Sequence, residues 1–217
     1  MRTYIHPLPL RIWHWLNALI VIMLIVTGLY LRLHGIAALK PQDPVLLWHK
    51  VMGVAMIIVI LMWFIYNIYR GNLKRHYGIK KKDVKGMFVQ ARFYLFSIFT
   101  GGENPFKPSD DDKYNPLQKI AYDVTMFIFL PAQAVTGLFF MEIPPLRDYL
   151  LSVNLSGILG AIHVTFAYLL VLYLIVHLYM ATLGKTFFSH TKAMIVGYKE
   201  LGRELKKLEL SQSEKEM

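Results

Sequence analysis

From Ile158 to Leu183 the sequence contains no Asp, Glu, Lys or Arg. At about 1.5 Å of rise per helical residue, that run is long enough to cross roughly 30 Å of hydrocarbon. It therefore reads as a membrane-spanning helix, and the rest of the chain has to be compatible with it. Two imidazoles, His163 and His177, interrupt its apolar character. Their fourteen-residue separation, at about 100° per residue, places the rings within roughly 40° of one another on one helix face and about 21 Å apart along the axis. Ionisable groups inside a span are by default candidates for a functional site, and they usually face the interior of the protein.

Four runs in all qualify as spans: residues 10–33, 45–69, 117–141 and 155–183. Pro7 and Pro9 precede the first, Pro44 the second and Pro116 the third, each suited to a helix entry. Pro131 lies within the third and is expected to kink it. The first run starts near Leu10, contains polar groups and is too long for the apolar region of a signal peptide, so it is read as a span. With 55% hydrophobic residues the chain belongs with membrane proteins. It has no cysteine, which rules out disulfides, thiolate-ligated clusters and thiol chemistry and leaves histidine as the main metal ligand.

Charge orients the spans. Arg2 and Arg11 precede or begin the first, eleven Lys and Arg lie between Arg70 and Lys119, and seven follow from Lys185 onward. The other side has only Arg32, Lys40 and Arg147, with Lys50 just inside a span. By the positive-inside rule both termini and the long middle connection are expected in the cytoplasm. The net charge of +10 thus follows the membrane topology, which argues against nucleic acid as a partner. Within the connection of residues 70–116, residues 84–100 carry aromatic and basic groups on opposite helix faces and are expected to form an interfacial amphipathic helix on the bilayer. Residues 1–184 then form an all-α domain, a four-transmembrane-helix bundle, and residues 185–217 a basic, amphipathic cytoplasmic segment.

Depth pairs the histidines. His14 lies about one turn into the first span, on the cytoplasmic side, level with His177; His49 lies about one turn into the second, on the outer side, level with His163. Two imidazoles on facing helices can ligate a haem iron from both sides. A bare zinc or iron ion would need further ligands. Haem also needs flat space, which glycine provides. Gly53, four residues after His49, and Gly160, three before His163, are the best-placed candidates, while Gly28 and Gly137 can equally serve close helix contact. His6, His34, His76 and His190 read as solvated or interfacial, and the four tryptophans as part of the interfacial aromatic belt.

The segments RIWHWLNAL (Arg11 to Leu19), Thr27-Gly28, WHKVMG (Trp48 to Gly53) and KYNPLQKIAY (Lys113 to Tyr122), together with His163 and His177, resemble the bacterial di-haem cytochrome b superfamily. That superfamily supplies membrane subunits to formate dehydrogenases, nickel-iron hydrogenases and thiosulfate reductases. The resemblance covers essentially the whole chain. It implies two haem b groups, ligated by His14 with His177 and by His49 with His163, and a quinone site near the start of the third span, at Asn115 and Gln118. Arg11 and Lys50, each beside a ligand, could pair with haem propionates or extend to the interface.

The expected function is that of an electron-transfer subunit of a quinone-linked oxidoreductase in the bacterial cytoplasmic membrane. It would exchange electrons between an extracytoplasmic iron-sulfur or catalytic redox subunit and menaquinone or ubiquinone. The alternative is a stand-alone cytochrome b561-type quinone oxidoreductase that takes electrons from a small diffusible donor such as superoxide.

Overall fold

The structure, a computed structural model, describes residues 2–4, 6–35, 43–73, 77–106, 114–141, 155–184 and 186–200. Four helices are long and apolar enough to cross a membrane: α1 (Leu8–His34), α2 (Pro44–Tyr69), α4 (Pro116–Phe139) and α5 (Ser156–Thr182). Between α2 and α4 lies α3 (Lys81–Leu95), followed by a 3-10 turn at Ser97–Thr100. A short helix α6 (Ser189–Val196) and a strand β2 (Tyr198–Glu200) follow α5, and β2 pairs with β1 (Arg2–Tyr4).

All four spans fall within three residues of their expected bounds because the signals at their ends are local. Pro44 occupies the first turn of α2, and the Asp43 carboxylate accepts from the backbone N–H groups of Val45 and Leu46. Asn115 and Pro116 start α4 in the same way, with a reciprocal capping box between Asn115 and Gln118. Pro131 acts through a π-turn. Residues Thr125–Phe129 are wound with i→i+5 bonds, and the Leu130 N–H donates to the Thr125 carbonyl, so the extra residue falls directly before the proline that has no N–H to give.

The chain divides into two compact units, residues 1–20 with 174–217 and residues 21–173. In the first, β1 and β2 pair antiparallel, with Tyr4 opposite Tyr198. The His6 N–H donates to the Gly197 carbonyl, and the Trp15 indole N–H donates to the Met194 carbonyl. Gly197 ends α6 at φ +87°, and a β-carbon there would lie 2.7 Å from Arg11 Nη1 and 2.9 Å from the Tyr4 ring. Only glycine satisfies both conditions. This short strand pair is added to an otherwise all-helical fold, in keeping with the all-α expectation. Residues 198–200, expected in an amphipathic C-terminal segment, are extended; residues 201–217 lie outside the described residues, as do residues 36–42, 107–113 and 142–154 and His76.

The second unit is built around α2, whose Met56, Val59, Ile60 and Trp63 are buried. Trp63 meets Tyr77 and Phe127 edge-on, with ring centroids 5.3 and 6.3 Å away. A helix is present where one is expected over residues 84–100, but it starts earlier, at Lys81, and ends at Leu95 with a 3-10 extension. Asp83 explains the earlier start: its carboxylate accepts from the Lys80 N–H and fixes the first turn. The same carboxylate meets Lys119 Nζ of α4 at 2.8 Å, and both side chains are buried. Next to this pair Gly86 touches Pro116, where a β-carbon would lie 2.7 Å from the proline ring, and the Asn115 amide donates to the Tyr94 hydroxyl. The other face of α3 leaves Val84, Phe88, Val89 and Leu95 exposed, continued by Phe96 and Phe99, an apolar face suited to a bilayer surface.

Candidate functional site

The four intramembrane histidines come together in two pairs, matched as depth along the sequence indicates. The rings of His49 on α2 and His163 on α5 have centroids 6.4 Å apart, and those of His14 on α1 and His177 on α5 are 6.1 Å apart. An imidazole nitrogen sits about 2 Å from a metal it binds. Two rings on opposite sides of one ion therefore have their centers about 6 Å apart, close to both separations.

The His49 and His163 rings are held alike by two matching dipeptides. Thr27 Oγ1 lies 2.6 Å from the Met23 carbonyl and 2.8 Å from His49 Nδ1. Thr136 Oγ1 lies 2.6 Å from the Ala132 carbonyl and 2.9 Å from His163 Nδ1. Each hydroxyl gives its hydrogen to the carbonyl one turn back, so it accepts from the imidazole Nδ1–H. That fixes the tautomer and leaves the Nε2 lone pair of each ring for a metal. The following glycines sit against the same rings: a β-carbon on Gly28 would be 3.2 Å from His49 Cε1, and one on Gly137 would be 3.5 Å from His163 Cε1. Gln133 further fixes the backbone by donating to the His163 carbonyl at 2.9 Å.

Gly53 has open space beside it and Gly160 meets only Phe140, while Gly28 and Gly137 are the ones that touch the histidines. The sequence does not mark Thr27 and Thr136 as ring supports. The readable signal was the Thr-Gly pair that recurs late in two different spans.

At the other pair, His14 packs edge-on against Trp15, and its Nδ1 is buried with no hydrogen-bond partner. Arg11 lies one turn earlier, half-buried, with a buried Nε that also has no hydrogen-bond partner. Lys50 follows His49 on α2 and is half-buried. Asn115 is 3% exposed and fully engaged: its Oδ1 accepts from the Gln118 N–H and its Nδ2 donates to Tyr94. Gln118 Oε1 closes the capping box on the Asn115 N–H, a bond in which its amide nitrogen takes no part. His34 stacks on Tyr30, centroids 4.0 Å apart, and takes no part in either pair. Among the described residues no group of three or more His, Asp or Glu could hold a bare metal ion.

A family profile described as "Prokaryotic cytochrome b561" matches residues 5–197. The chain belongs to that family. It is 32% identical over 200 residues to "Putative cytochrome YdhU" of Escherichia coli (strain K12), covering 91% of this chain and 74% of that protein. It is 30% identical over 128 residues to "Probable Ni/Fe-hydrogenase 1 B-type cytochrome subunit" of the same strain, covering 54% of this chain and 52% of the relative, and to the same-named protein of Escherichia coli O157:H7. It thus spans about three quarters of the first relative and about half of the others. No solved structure matches it. This b561-family cytochrome is a multi-pass membrane protein, and its family implies haem b and haem-based electron transport.

Proposed function

We propose that the chain is a di-haem cytochrome b subunit that carries electrons between an extracytoplasmic redox partner and the membrane quinone pool. The observation that carries the reading is the pair of facing imidazole pairs, each at the spacing of two axial ligands. His49 and His163 hold one haem b and His14 and His177 the other. Haem b, when bound there, would supply reversible one-electron transfer. The residues fit the group. Thr27 and Thr136 direct two Nε2 lone pairs inward, Gly28 and Gly137 keep the ring edges clear, and the unpartnered His14 Nδ1 and Arg11 Nε leave polar groups for it to engage. Arg11 is the propionate partner at the inner level and Lys50 at the outer.

The hydrogenase subunit among the relatives supports a partner that brings its own catalytic or iron-sulfur centre, docked on the outer side in the orientation that charge gives. Both termini and α3 are then cytoplasmic, and menaquinone or ubiquinone is the membrane-side substrate. Near the start of α4, Gln118 is the better placed of the two expected quinone contacts, because the Asn115 side chain is occupied at both ends. The full chain, expressed with ample haem and purified in mild detergent, is expected to contain two low-spin haems per polypeptide. His49→Ala and His14→Ala should each retain one, and a redox subunit should co-purify. A wild-type protein with one haem or none, or a His49→Ala variant that keeps both, overturns the assignment.

A further inference from the structure

The outward face of α3 carries two parallel rows of side chains. Lys81, Lys85 and Arg92 form one and Val84, Phe88 and Leu95 the other, and all six are exposed. Each apolar residue follows a basic one by three positions, which at about 100° per residue sets the two rows side by side, roughly 60° apart around the helix. The opposite face is the docked one, with Asp83, Gln90 and Phe93 buried. Residues 80–95 contain five Lys and Arg against a single acid, and that acid, Asp83, is turned inward to Lys119. The basic row therefore has no carboxylate of its own helix to neutralise it.

Contacts with α4 give the height of these rows. Asp83, Gly86 and Tyr94 span roughly 16 Å of α3 at about 1.5 Å per residue. They nevertheless meet Lys119, Pro116 and Asn115, which occupy little more than one turn at the start of α4. So α3 crosses the entry of a membrane-spanning helix, at the level where acyl chains give way to headgroups. We infer that this face binds anionic phospholipid of the bilayer surface, with phosphates against Lys81, Lys85 and Arg92 and the upper part of an acyl chain against Val84, Phe88 and Leu95. Charge complementarity selects the headgroup: a net negative one meets three cations favourably, whereas a zwitterionic one brings its own ammonium to the same row. A soluble acidic protein would match the basic row alone. The apolar row at the same height calls for a partner that is anionic and apolar at once.

The test uses the full, haem-loaded chain in phosphatidylcholine nanodiscs. These are doped with a trace of photoactivatable phosphatidylglycerol or, separately, of photoactivatable phosphatidylcholine with the same chains, and peptide mass spectrometry reads the label on residues 81–95. At low salt phosphatidylglycerol is expected to label them in excess over phosphatidylcholine. Each of Lys81→Gln, Lys85→Gln and Arg92→Gln should reduce that excess about fivefold, as for loss of one cation near an anionic surface. Lys85→Arg should keep it, and higher ionic strength should shrink it. Phe88→Ser combined with Leu95→Ser should lower labelling by both lipids together. Variants are compared at wild-type haem content, which none of these exposed changes should alter. Equal labelling by the two lipids in the wild-type protein, or an excess that survives the triple glutamine variant, overturns the inference. So does an absence of lipid label from residues 81–95, the result expected if the face meets water or a soluble protein.

Discussion

At the scale of single residues, the histidines are set by their neighbours as much as by their own positions. A hydroxyl that accepts from Nδ1–H makes the opposite nitrogen the ligand and increases its electron donation to a metal. Thr27→Val keeps the shape and removes that acceptor, so the His49 ring loses its fixed tautomer while His163 keeps its own. Purified Thr27→Val is expected to lose haem at the His49 level, with about tenfold to a hundredfold weaker retention against an apo-protein competitor, and the other haem should be unaffected. Thr136→Val should reproduce the effect. Unchanged retention and an unchanged midpoint potential in both variants would show that the hydroxyls serve only helix packing. Gly28 gives a steric version of the same test. Alanine there must displace the His49 ring by a few tenths of an ångström, and a larger side chain such as valine cannot be accommodated without moving α1 from α2. The histidines themselves were legible in the sequence because an imidazole in a span is conspicuous. Their threonine supports were not, because a threonine in a helix is ordinarily explained by its own i−4 carbonyl, and here that bond and the ring bond coexist.

At the scale of elements, the connection between α2 and α4 is ordered by a buried ion pair. Burial pushes the Asp83 carboxyl up, but hydrogen bonds from the Lys119 ammonium and the Lys80 N–H, with the nearby positive charge, outweigh it, so the carboxyl lies below its ordinary value. A carboxyl with a lowered folded-state pKa contributes stability that is fully present above its unfolded value, near 3.8, and is lost as pH falls through the lower folded value. The docking of α3 should therefore be indifferent to pH across the neutral range and loosen only in strong acid. Removing one partner is more severe. Lys119→Met leaves a buried carboxylate unpaired, with a penalty of about 3–5 kcal/mol, and the second change Asp83→Leu should relieve most of it. Hydrogen exchange over residues 81–95 reads this directly: fast in Lys119→Met, slow again in the double variant. Equal protection in all three proteins would mean that the Gly86 contact with Pro116 carries the docking. The sequence showed that a helix lies here, since its aromatic and basic residues share a helical period. It did not show the helix's first turn, because Asp83 and Lys119 are far apart in the chain and neither pattern nor propensity links them. The β1 and β2 pair was hidden for the same reason: three-residue strands at opposite ends of a chain have no local signature and exist only through their mutual pairing.

At the scale of the whole molecule, the charge asymmetry and the histidine levels are two readings of the same topology. About twenty Lys and Arg flank one set of span ends and three the other. Short loops obey that bias most strictly, and residues 34–43 and 142–154 are short. If α1 and α4 enter from the cytoplasm and α2 and α5 from outside, as the charge bias predicts, His49 and His163, each within a few turns of the start of α2 and α5, lie on the outer side, and His14 and His177 on the inner. Under the proposed function, that orientation sets the sides from which a redox partner and a quinone would meet the chain. Fusions to the C-terminus of the full chain test it without touching a ligand: a green fluorescent protein should fluoresce, and an alkaline phosphatase should be inactive because it remains reduced in the cytoplasm. A phosphatase placed between Arg32 and Pro44 should be active. The reverse pattern would invert every depth assignment at once and put the Thr27- and Thr136-supported pair on the cytoplasmic side. It would leave the two pairs themselves intact, because their partners are fixed by contact and not by orientation.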